Sequence, residues 1–335
     1  MGIVDKKVKG FTIVELIVVI GVIGILAGIT VVGYGAWRTT TTQNQLKSDL
    51  NGVASSMETA RNFGDTYPAT VPSTFTPSSG VVLSGGGMSS GKNFCVTATQ
   101  NSLSYRATNY STPRPGTCSG PGRDDISIIK WASWTLGTGG VAGYGLNGDG
   151  NSRITDTNPW GVSDTVWDVS NQDALSDADG GWNGSSFAIN NTKMYRFSTF
   201  IKRKTIGNGS TYLGTHGYPS AVLNRSNGVS NANPYFSATG WWGSSDQWYL
   251  VIGHVWPAGS GAGAAMADSG IYTLSGTKIT PNSDYVWQST TTSSDHRSYL
   301  YYSTDVATNQ QWYQPRVDVV DGTEPTISEL LNDTF

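Results

Sequence analysis

Glutamate and histidine are scarce in this chain of 335 residues. The glutamates are Glu15, Glu58, Glu324 and Glu329, and the histidines, at positions 216, 254 and 296, are scattered. Glycosidases place two carboxylates across the scissile bond, commonly glutamates on one strand, and no such pair is evident. The sequence also has no HExxH motif, no convincing nucleophile elbow and no glycine-rich phosphate loop after a strand. We therefore expect a protein that is not an enzyme, with His254 as a hydrogen-bonded core residue.

Charged side chains and cysteines are also few. Charged residues make up 13% of the chain, about half of the usual share. Beyond the first ten residues the one dense basic run is Lys202-Arg203-Lys204, so no nucleic-acid partner is expected. Two cysteines, Cys95 and Cys118, exclude a framework of several disulfides. They allow one disulfide in an oxidising compartment, or two free thiols.

Glycine and aromatic residues are abundant instead, with 42 Gly, 16 Tyr and 12 Trp. Eleven of the tryptophans follow residue 130, which indicates two regions of unlike composition. This mixture is typical of β-rich surface proteins, and the length allows an anchor plus roughly two domains.

The N-terminus carries the most specific pattern. Three lysines precede Gly10, and Phe11 opens an apolar run that lasts to about residue 35 and contains one ionisable side chain, Glu15. A charge at membrane depth costs roughly 2.5–3.5 kcal/mol on insertion scales, so a carboxylate there indicates a specific partner. An ordinary secretory signal or a plain anchor is the alternative, but neither accounts for Glu15 directly after Gly10-Phe11.

The sequence K-x-x-K-G-F-T-I-V-E-L resembles the start of the type IV prepilin family, which includes type IV pilins and type II secretion pseudopilins. The resemblance covers about the first 35 residues. It implies that a prepilin peptidase cuts between Gly10 and Phe11 and that Phe11 is then methylated. It also implies that Glu15 pairs with the N-terminal amine of a neighbouring subunit. Many such pilins have a proline at the position of Val32, where this chain departs from the pattern.

The resemblance sets the expected location and partners. Residues 1–10 form the leader, and residues 11–36 form a transmembrane and filament-core helix. The precursor lies in the cytoplasmic (inner) membrane with its lysines inside, and the mature chain joins an extracellular filament of pilin subunits through the pilus assembly machinery. Removal of the leader changes the formal net charge from −3 to −5. An exported location makes a Cys95–Cys118 disulfide the expected state.

A small pilin head is predicted over residues 37–122. Leu46, Leu50, Val53, Met57 and Ala60 recur at helical spacing and extend the helix to about residue 63. Three strands are predicted to pack on this stripe, over Gly80–Leu83, Asn93–Thr99 and Ser102–Thr108.

Residues 123–335, after a segment rich in Pro and Gly, are predicted to form an all-β, jelly-roll-like sandwich. The predicted strands are Met194–Lys202, Trp248–Trp256, Tyr285–Gln288, Arg297–Tyr302 and Tyr313–Val320, with one late helix over Ile327–Asn332. The segments Y-R-F-S-T-F-I-K, D-Q-W-Y-L-V-I-G-H-V and R-S-Y-L-Y-Y-S resemble concanavalin-A-like, carbohydrate-binding (lectin-like) sandwiches. The predicted class is therefore α+β, with a pilin spine helix and head followed by this sandwich.

Aromatic, amide and acidic side chains in loop-like segments are the candidate ligand-binding residues. The candidates are Trp241, Trp242, Asp246, Trp182 and Tyr218. Aromatic rings stack on the apolar faces of sugars, but the alternative for each tryptophan is core packing. Adjacent Trp241 and Trp242 on an extended chain are expected to point to opposite faces.

A calcium ion is the one cofactor considered. Asn147, Asp149, Asn151 and Asp156 place oxygen-bearing side chains at alternate positions, as in an EF-hand-like loop. The twelfth position is Asn158 rather than an acid, and the alternative is a solvated polar turn.

These observations favour a structural subunit of a type IV pilus-like filament that displays a head for adhesion to glycans or cell surfaces. The alternative is a pseudopilin or minor pilin for type II secretion or DNA uptake, with the sandwich recognising protein. A third possibility is a head that only packs and binds no ligand.

Overall fold

The computed structural model describes residues 13–61, 66–88, 91, 93–109, 111–118, 127–131, 134–322 and 324–332. Gly10 and Phe11, the predicted cleavage and methylation positions, lie outside the described residues. Glu15 lies in the first turn of the first helix.

The first helix, α1, spans Ile13–Arg61 and has two unlike ends. Near its C-terminus Leu46, Leu50, Val53 and Met57 are fully buried, which confirms the predicted stripe. Near its N-terminus large apolar side chains are exposed: Ile13, Val14, Leu16, Ile17, Val18, Val19, Ile20, Val22, Ile23 and Leu26. Among the described residues, no helix combines the length and apolar character needed to cross a membrane, and the transmembrane segment predicted over residues 11–36 is not shown.

The buried stripe of α1 packs on a small antiparallel sheet with strand order β1-β2-β3-β4. Its strands are β1 Val82–Met88, β2 Asn93–Gln100, β3 Leu103–Thr108 and β4 Ser111–Pro115. The first strand begins two residues later than predicted, and β4 was not predicted, since its two prolines are unusual within a sheet. The predicted Cys95–Cys118 disulfide is confirmed.

Two larger sheets follow the small sheet in the sequence. The strands are β5 Tyr144–Leu146, β6 Asn151–Thr157, β7 Ser163–Ser170, β8 Ala178–Gly184, β9 Phe187–Ala188, β10 Tyr195–Thr205, β11 Ser210–Tyr218, β12 Val222–Asn224, β13 Ser230–Asn231, β14 Tyr235–Gly240, β15 Trp248–Trp256, β16 Gly270–Thr273, β17 Lys278–Pro281, β18 Tyr285–Val286, β19 Ser293–Tyr301 and β20 Asn309–Val319. The ten-stranded sheet has the order β13-β12-β18-β15-β10-β20-β7-β6, with β16 on β15 and β17 on β16. The six-stranded sheet has the order β14-β11-β19-β8-β5, with β9 on β19.

The two sheets face each other across an aromatic core. Trp182 of the six-stranded sheet contacts Trp167 and Trp312 of the ten-stranded sheet, with ring centroids 5.3 and 5.5 Å apart. Gly253 makes room for this packing, because a Cβ there would lie 2.2 Å from the Phe236 ring of the opposite sheet. The predicted β-sandwich is therefore confirmed, while its jelly-roll order stays a prediction.

A short C-terminal helix, α2 (Ile327–Asn332), bridges the sandwich and the small sheet. Leu330 and Leu331 belong to the sandwich core. Glu329 is fully buried and pairs with Arg106 of β3 at 3.5 Å. The sandwich thus contacts the small sheet through its C-terminal helix, a contact that the predicted division between residues 122 and 123 did not anticipate.

Candidate functional site

The outward face of the six-stranded sheet carries the candidate site. Successive residues of a strand point to opposite faces of a sheet. The side chains of β11 and β19 therefore form two sets, one facing the core and one facing outward. Leu213, His296 and Leu300 are buried against the other sheet. Their neighbours on the opposite face are Tyr212, Tyr299 and Tyr301, where a soluble sheet ordinarily carries small polar residues.

These tyrosines line an open cleft of about 380 Å³. The lining residues are Asn147, Tyr212, Asn233, Tyr235, Tyr299, Tyr301 and Tyr302. The rings contact one another edge to face, with centroids 4.7 Å apart for Tyr212 and Tyr235 and 4.7 Å apart for Tyr301 and Tyr302. Mutual packing of this kind holds the rings in place, so the cleft offers rigid aromatic walls.

The polar groups of the cleft are neutral. Burial raises the pKa of Tyr212, Tyr235 and Tyr299 above the ordinary value for a phenol. The Tyr299 hydroxyl donates to Oδ1 of Asn183 on the next strand. Asn147 Nδ2 is buried and has no hydrogen-bond partner among the described residues. The cleft therefore presents phenol and amide groups beside aromatic faces.

Gly214 and Arg297 hold Tyr235 in the wall of the cleft. A Cβ on Gly214 would lie 2.5 Å from Tyr235 Cδ1 and 2.6 Å from the Pro234 carbonyl oxygen, so this close approach requires glycine. The Arg297 guanidinium lies over the Tyr235 ring, 4.4 Å from its centroid, and donates to the Pro234 carbonyl at 3.2 Å.

Farther along the same face, His216, Tyr218 and Asp295 form a second cluster. Asp295 Oδ2 lies 3.0 Å from His216 Nδ1 and accepts a hydrogen bond from the Tyr218 hydroxyl at 3.2 Å. Tyr218, a predicted ligand residue, is 43% exposed. It is the one predicted ligand residue that the structure places on this face.

Trp241 and Trp242 do not point to opposite faces as expected. Their rings lie together, with centroids 4.9 Å apart, and both pack against the edge of the sandwich core. The expectation was wrong because this segment leaves β14 and turns rather than continuing as an extended strand. Asp246 is exposed and pairs with Lys202 at 3.3 Å.

Trp182 is a correction to the sequence-based prediction. It has no exposed surface, because it lies on the inward side of β8. Its Nε1 donates to His296 Nδ1 at 3.3 Å, and the rings of these two residues stack. A residue without accessible surface cannot stack on a sugar, so Trp182 is part of the core.

The four predicted metal residues do not converge. The Asn151 amide nitrogen donates to the carbonyls of residues 147, 148 and 149 at 3.0–3.1 Å. Its Oδ1 accepts from Trp167 Nε1 and Gly181 N. Asn151 therefore stabilises the turn with its own side chain, and Asn147 lines the tyrosine cleft. The exposed turn also contains Asp149.

Asp156 lies farther along β6, where Lys204 and Gln311 each donate to its Oδ2 at 2.9 Å. Burial alone would raise the pKa of Asp156, but these hydrogen bonds outweigh it and lower the pKa. Within the described residues no group of three or more His, Cys, Asp or Glu side chains is placed to hold a metal. Calcium stays a prediction.

Sequence reasoning missed the tyrosine cleft, although one signal was available. In R-S-Y-L-Y, alternate positions Arg297, Tyr299 and Tyr301 are large on one side while Ser298 and Leu300 occupy the other. Large apolar or aromatic side chains on both sides of a strand, here Leu300 on one side and Tyr299 and Tyr301 on the other, indicate that neither face is only a solvated surface. The predicted ligand residues lie in loop-like segments of the sequence, whereas these tyrosines lie within a strand.

Comparisons with known proteins identify a family motif near the N-terminus and partial structural similarity over a larger part of the chain. A model of the prokaryotic N-terminal methylation motif matches residues 5–31, which confirms the predicted leader motif. No curated protein matches the chain.

Two solved structures are similar in part. One is described as "CBM4 structure and function", with 14% identity and a TM-score of 0.27 over 53% of this chain and 94% of that one. The other is an arabinose-bound GH51 α-L-arabinofuranosidase, with 10% identity and a TM-score of 0.29 over 65% of this chain and 28% of that one. At TM-scores below 0.5 neither likeness carries an argument, and function rests on the residues of this chain.

Proposed function

We propose that this chain is a structural subunit of a type IV pilus-like filament whose sandwich binds carbohydrate in the tyrosine cleft. The N-terminal methylation motif over residues 5–31 supports the filament role. It implies a precursor anchored in the cytoplasmic membrane, cut by a prepilin peptidase, and then assembled with other subunits at the cell surface.

The N-terminal half of α1 supports assembly in its own way. Its exposed apolar side chains cover more than three turns of helix. Burial of such side chains contributes about 1.5–3 kcal/mol each, so this surface favours a membrane or neighbouring helices over water. In the filament α1 is the spine, and Glu15 meets the terminal amine of the next subunit.

The tyrosine cleft is the observation that carries the binding role. A sugar ring offers apolar CH faces to aromatic walls and hydroxyls to nearby polar groups. The cleft combines tyrosine rings with the phenol and amide groups of Tyr299, Asn147 and Asn233. None of the described residues that line it is charged, so the preferred ligand is a neutral glycan, bound without chemical change. The chain acts as an adhesive subunit and not as an enzyme.

Glycan binding is tested with the full-length chain in detergent micelles, first on a glycan array and then by titration with calcium or with chelator. Tyr212→Ala removes a cleft wall, and we expect at least a tenfold weaker affinity, which corresponds to about 1.4 kcal/mol. Trp241→Ala, at the previously predicted site, is the matched aromatic control and leaves affinity unchanged.

The opposite result, in which Trp241→Ala abolishes binding and Tyr212→Ala does not, places the site in the 240–246 loop. Absence of binding to every glycan contradicts the adhesive role and favours a pseudopilin or a head that recognises protein. Loss of binding in chelator alone makes calcium at residues 147–156 part of the site.

A further inference from the structure

We propose that His216, Tyr218 and Asp295 form a second sugar subsite on the same face as the tyrosine cleft. The outer face then takes a glycan chain of several rings rather than a single terminal sugar. This inference rests on the proposed function, because it assumes that the cleft binds carbohydrate.

The pairing register of β11 and β19 places the tyrosine cleft and the second subsite one after the other along the same two strands. Tyr212 is opposite Tyr299, and His216 is opposite Asp295, on the same pair of strands. Four residues separate the two pairs, which is about 14 Å at the rise of a β-strand. That separation exceeds one sugar ring, so a ligand that reaches both subsites is a chain that runs along the strands.

Between the subsites the Tyr235 ring and the Pro234 carbonyl pack over Gly214, at 2.5 and 2.6 Å from the position that a Cβ would take. A glycan chain that reaches both subsites therefore crosses the Tyr235 ring, which is itself a wall of the cleft. Arg297, opposite Gly214 on β19, is buried beneath that ring and donates to the Pro234 carbonyl. Its guanidinium is therefore not exposed to select an acidic sugar.

The burial and hydrogen bonding of Asp295 are those expected of a residue that binds a ligand hydroxyl. It is more than nine-tenths buried, and its Oδ2 is occupied by His216 and Tyr218. Its Oδ1 is buried and has no hydrogen-bond partner among the described residues. A buried acceptor without a partner is unfavourable. A sugar hydroxyl would supply the missing donor once the exposed Tyr218 side chain, whose hydroxyl binds the neighbouring Oδ2, moves aside. The exposed Tyr218 ring, 5.7 Å from the His216 ring, provides the platform on which that sugar lies.

A series of neutral oligosaccharides of increasing length tests the second subsite. Full-length chain in micelles is titrated with cello- and malto-oligosaccharides from disaccharide to hexasaccharide, with oligogalacturonides as the acidic comparison. We expect affinity to rise with length for a neutral series and not for the acidic one. Tyr218→Ala and Asp295→Asn weaken the longest ligand about fivefold to tenfold and leave the shortest unchanged. Tyr218→Phe, which keeps the aromatic ring, loses less affinity for the longest ligand than Tyr218→Ala.

Unchanged binding of the shortest sugar shows that each variant is folded, so a purely structural role is distinguished from a subsite. Affinity that is independent of length, or loss of equal size at every length, overturns the second subsite. If Tyr212→Ala abolishes binding while Tyr218→Ala changes nothing at any length, the proposed function stands and this inference fails. If no sugar binds the wild-type chain, both fail.

Discussion

The two faces of the six-stranded sheet are formed by the same strands but have different roles, one in the core and one at the cleft. On the inner face Trp182 and His296 have no exposed surface, and His296 Nε2 lies 3.2 Å from the Ser198 carbonyl of the opposite sheet. On the outer face Tyr212 and Tyr301 stay partly exposed and line the cleft. Aromatic content alone thus does not distinguish a core from a binding surface, but the side of the strand does.

The largest expected effect is the loss of an inner-face ring. Trp182→Ala removes the centre of the aromatic core, and we expect about 3–5 kcal/mol less free energy of unfolding. Tyr302→Ala, at a cleft residue that is 52% exposed, is the matched change and costs about 0.5 kcal/mol or less. Urea unfolding monitored by tryptophan fluorescence measures both. Equal losses in the two variants would remove the distinction between the faces.

The next largest effect on stability is expected from a substitution at the boundary of the cleft. Gly214→Ala places a methyl group within 2.6 Å of Tyr235 and the Pro234 carbonyl, so β14 must shift. Such overpacking costs about 1–3 kcal/mol, and Tyr235 leaves the cleft wall. We expect lower stability together with weaker glycan binding. Gly145→Ala on β5 of the same sheet, whose nearest atom would be 3.4 Å away, serves as the control. A Gly214→Ala variant that binds glycan normally would exclude Tyr235 from the site.

The inner face also predicts a pH dependence of stability. Burial lowers the pKa of His296 to about 4 and that of His254 to about 3, from 6.5. Below pH 6.5 the unfolded chain binds these protons and the folded chain does not, so stability falls as the pH is lowered. Asp179 opposes this trend, because burial, with Asp177 nearby, raises its pKa from 3.8 to about 6.

Between pH 6 and pH 4 these three groups leave the unfolded chain with about one extra proton, which is roughly 1.4 kcal/mol of lost stability per pH unit. Asp179→Asn removes the opposing group and steepens the fall toward two protons per molecule. Urea midpoints measured at each pH unit from 7 to 4 check the slope. A slope of the opposite sign would mean that the buried histidines are charged in the folded chain.

The smallest effect is expected outside both faces. Trp242 Nε1 is buried and has no hydrogen-bond partner among the described residues. Trp242→Phe removes this donor and some contact area, and the two changes offset each other to within about 1 kcal/mol. Thermal unfolding and a glycan titration should both match the wild-type chain. A large loss of affinity would return the 241–242 pair to the binding site.

Four of the ten strands of the larger sheet, β10, β15, β18 and β20, were predictable from their own segments. Trp248–Trp256 is a continuous apolar run and is the observed β15 with the predicted bounds. The short helix Ile327–Asn332 is also as predicted. By contrast, β8 reads A-D-G-G-W-N-G and was missed. Its glycines weaken any local strand signal, and its place is set by pairing with β19, more than 110 residues away.

The methylation motif, the buried stripe of α1 and a β-rich second region were predictable from the sequence, because charge, helical spacing and apolar alternation are properties of nearby residues. Which aromatic residues are core and which line a cleft depends instead on how distant strands pack. Trp182 and Tyr218 both lay in glycine-rich segments, yet one is enclosed between two sheets and the other lies on an open face. The cleft itself joins Asn147, Tyr212, Tyr235 and Tyr299. Strand pairing brings these distant segments together, and no local pattern encodes that pairing.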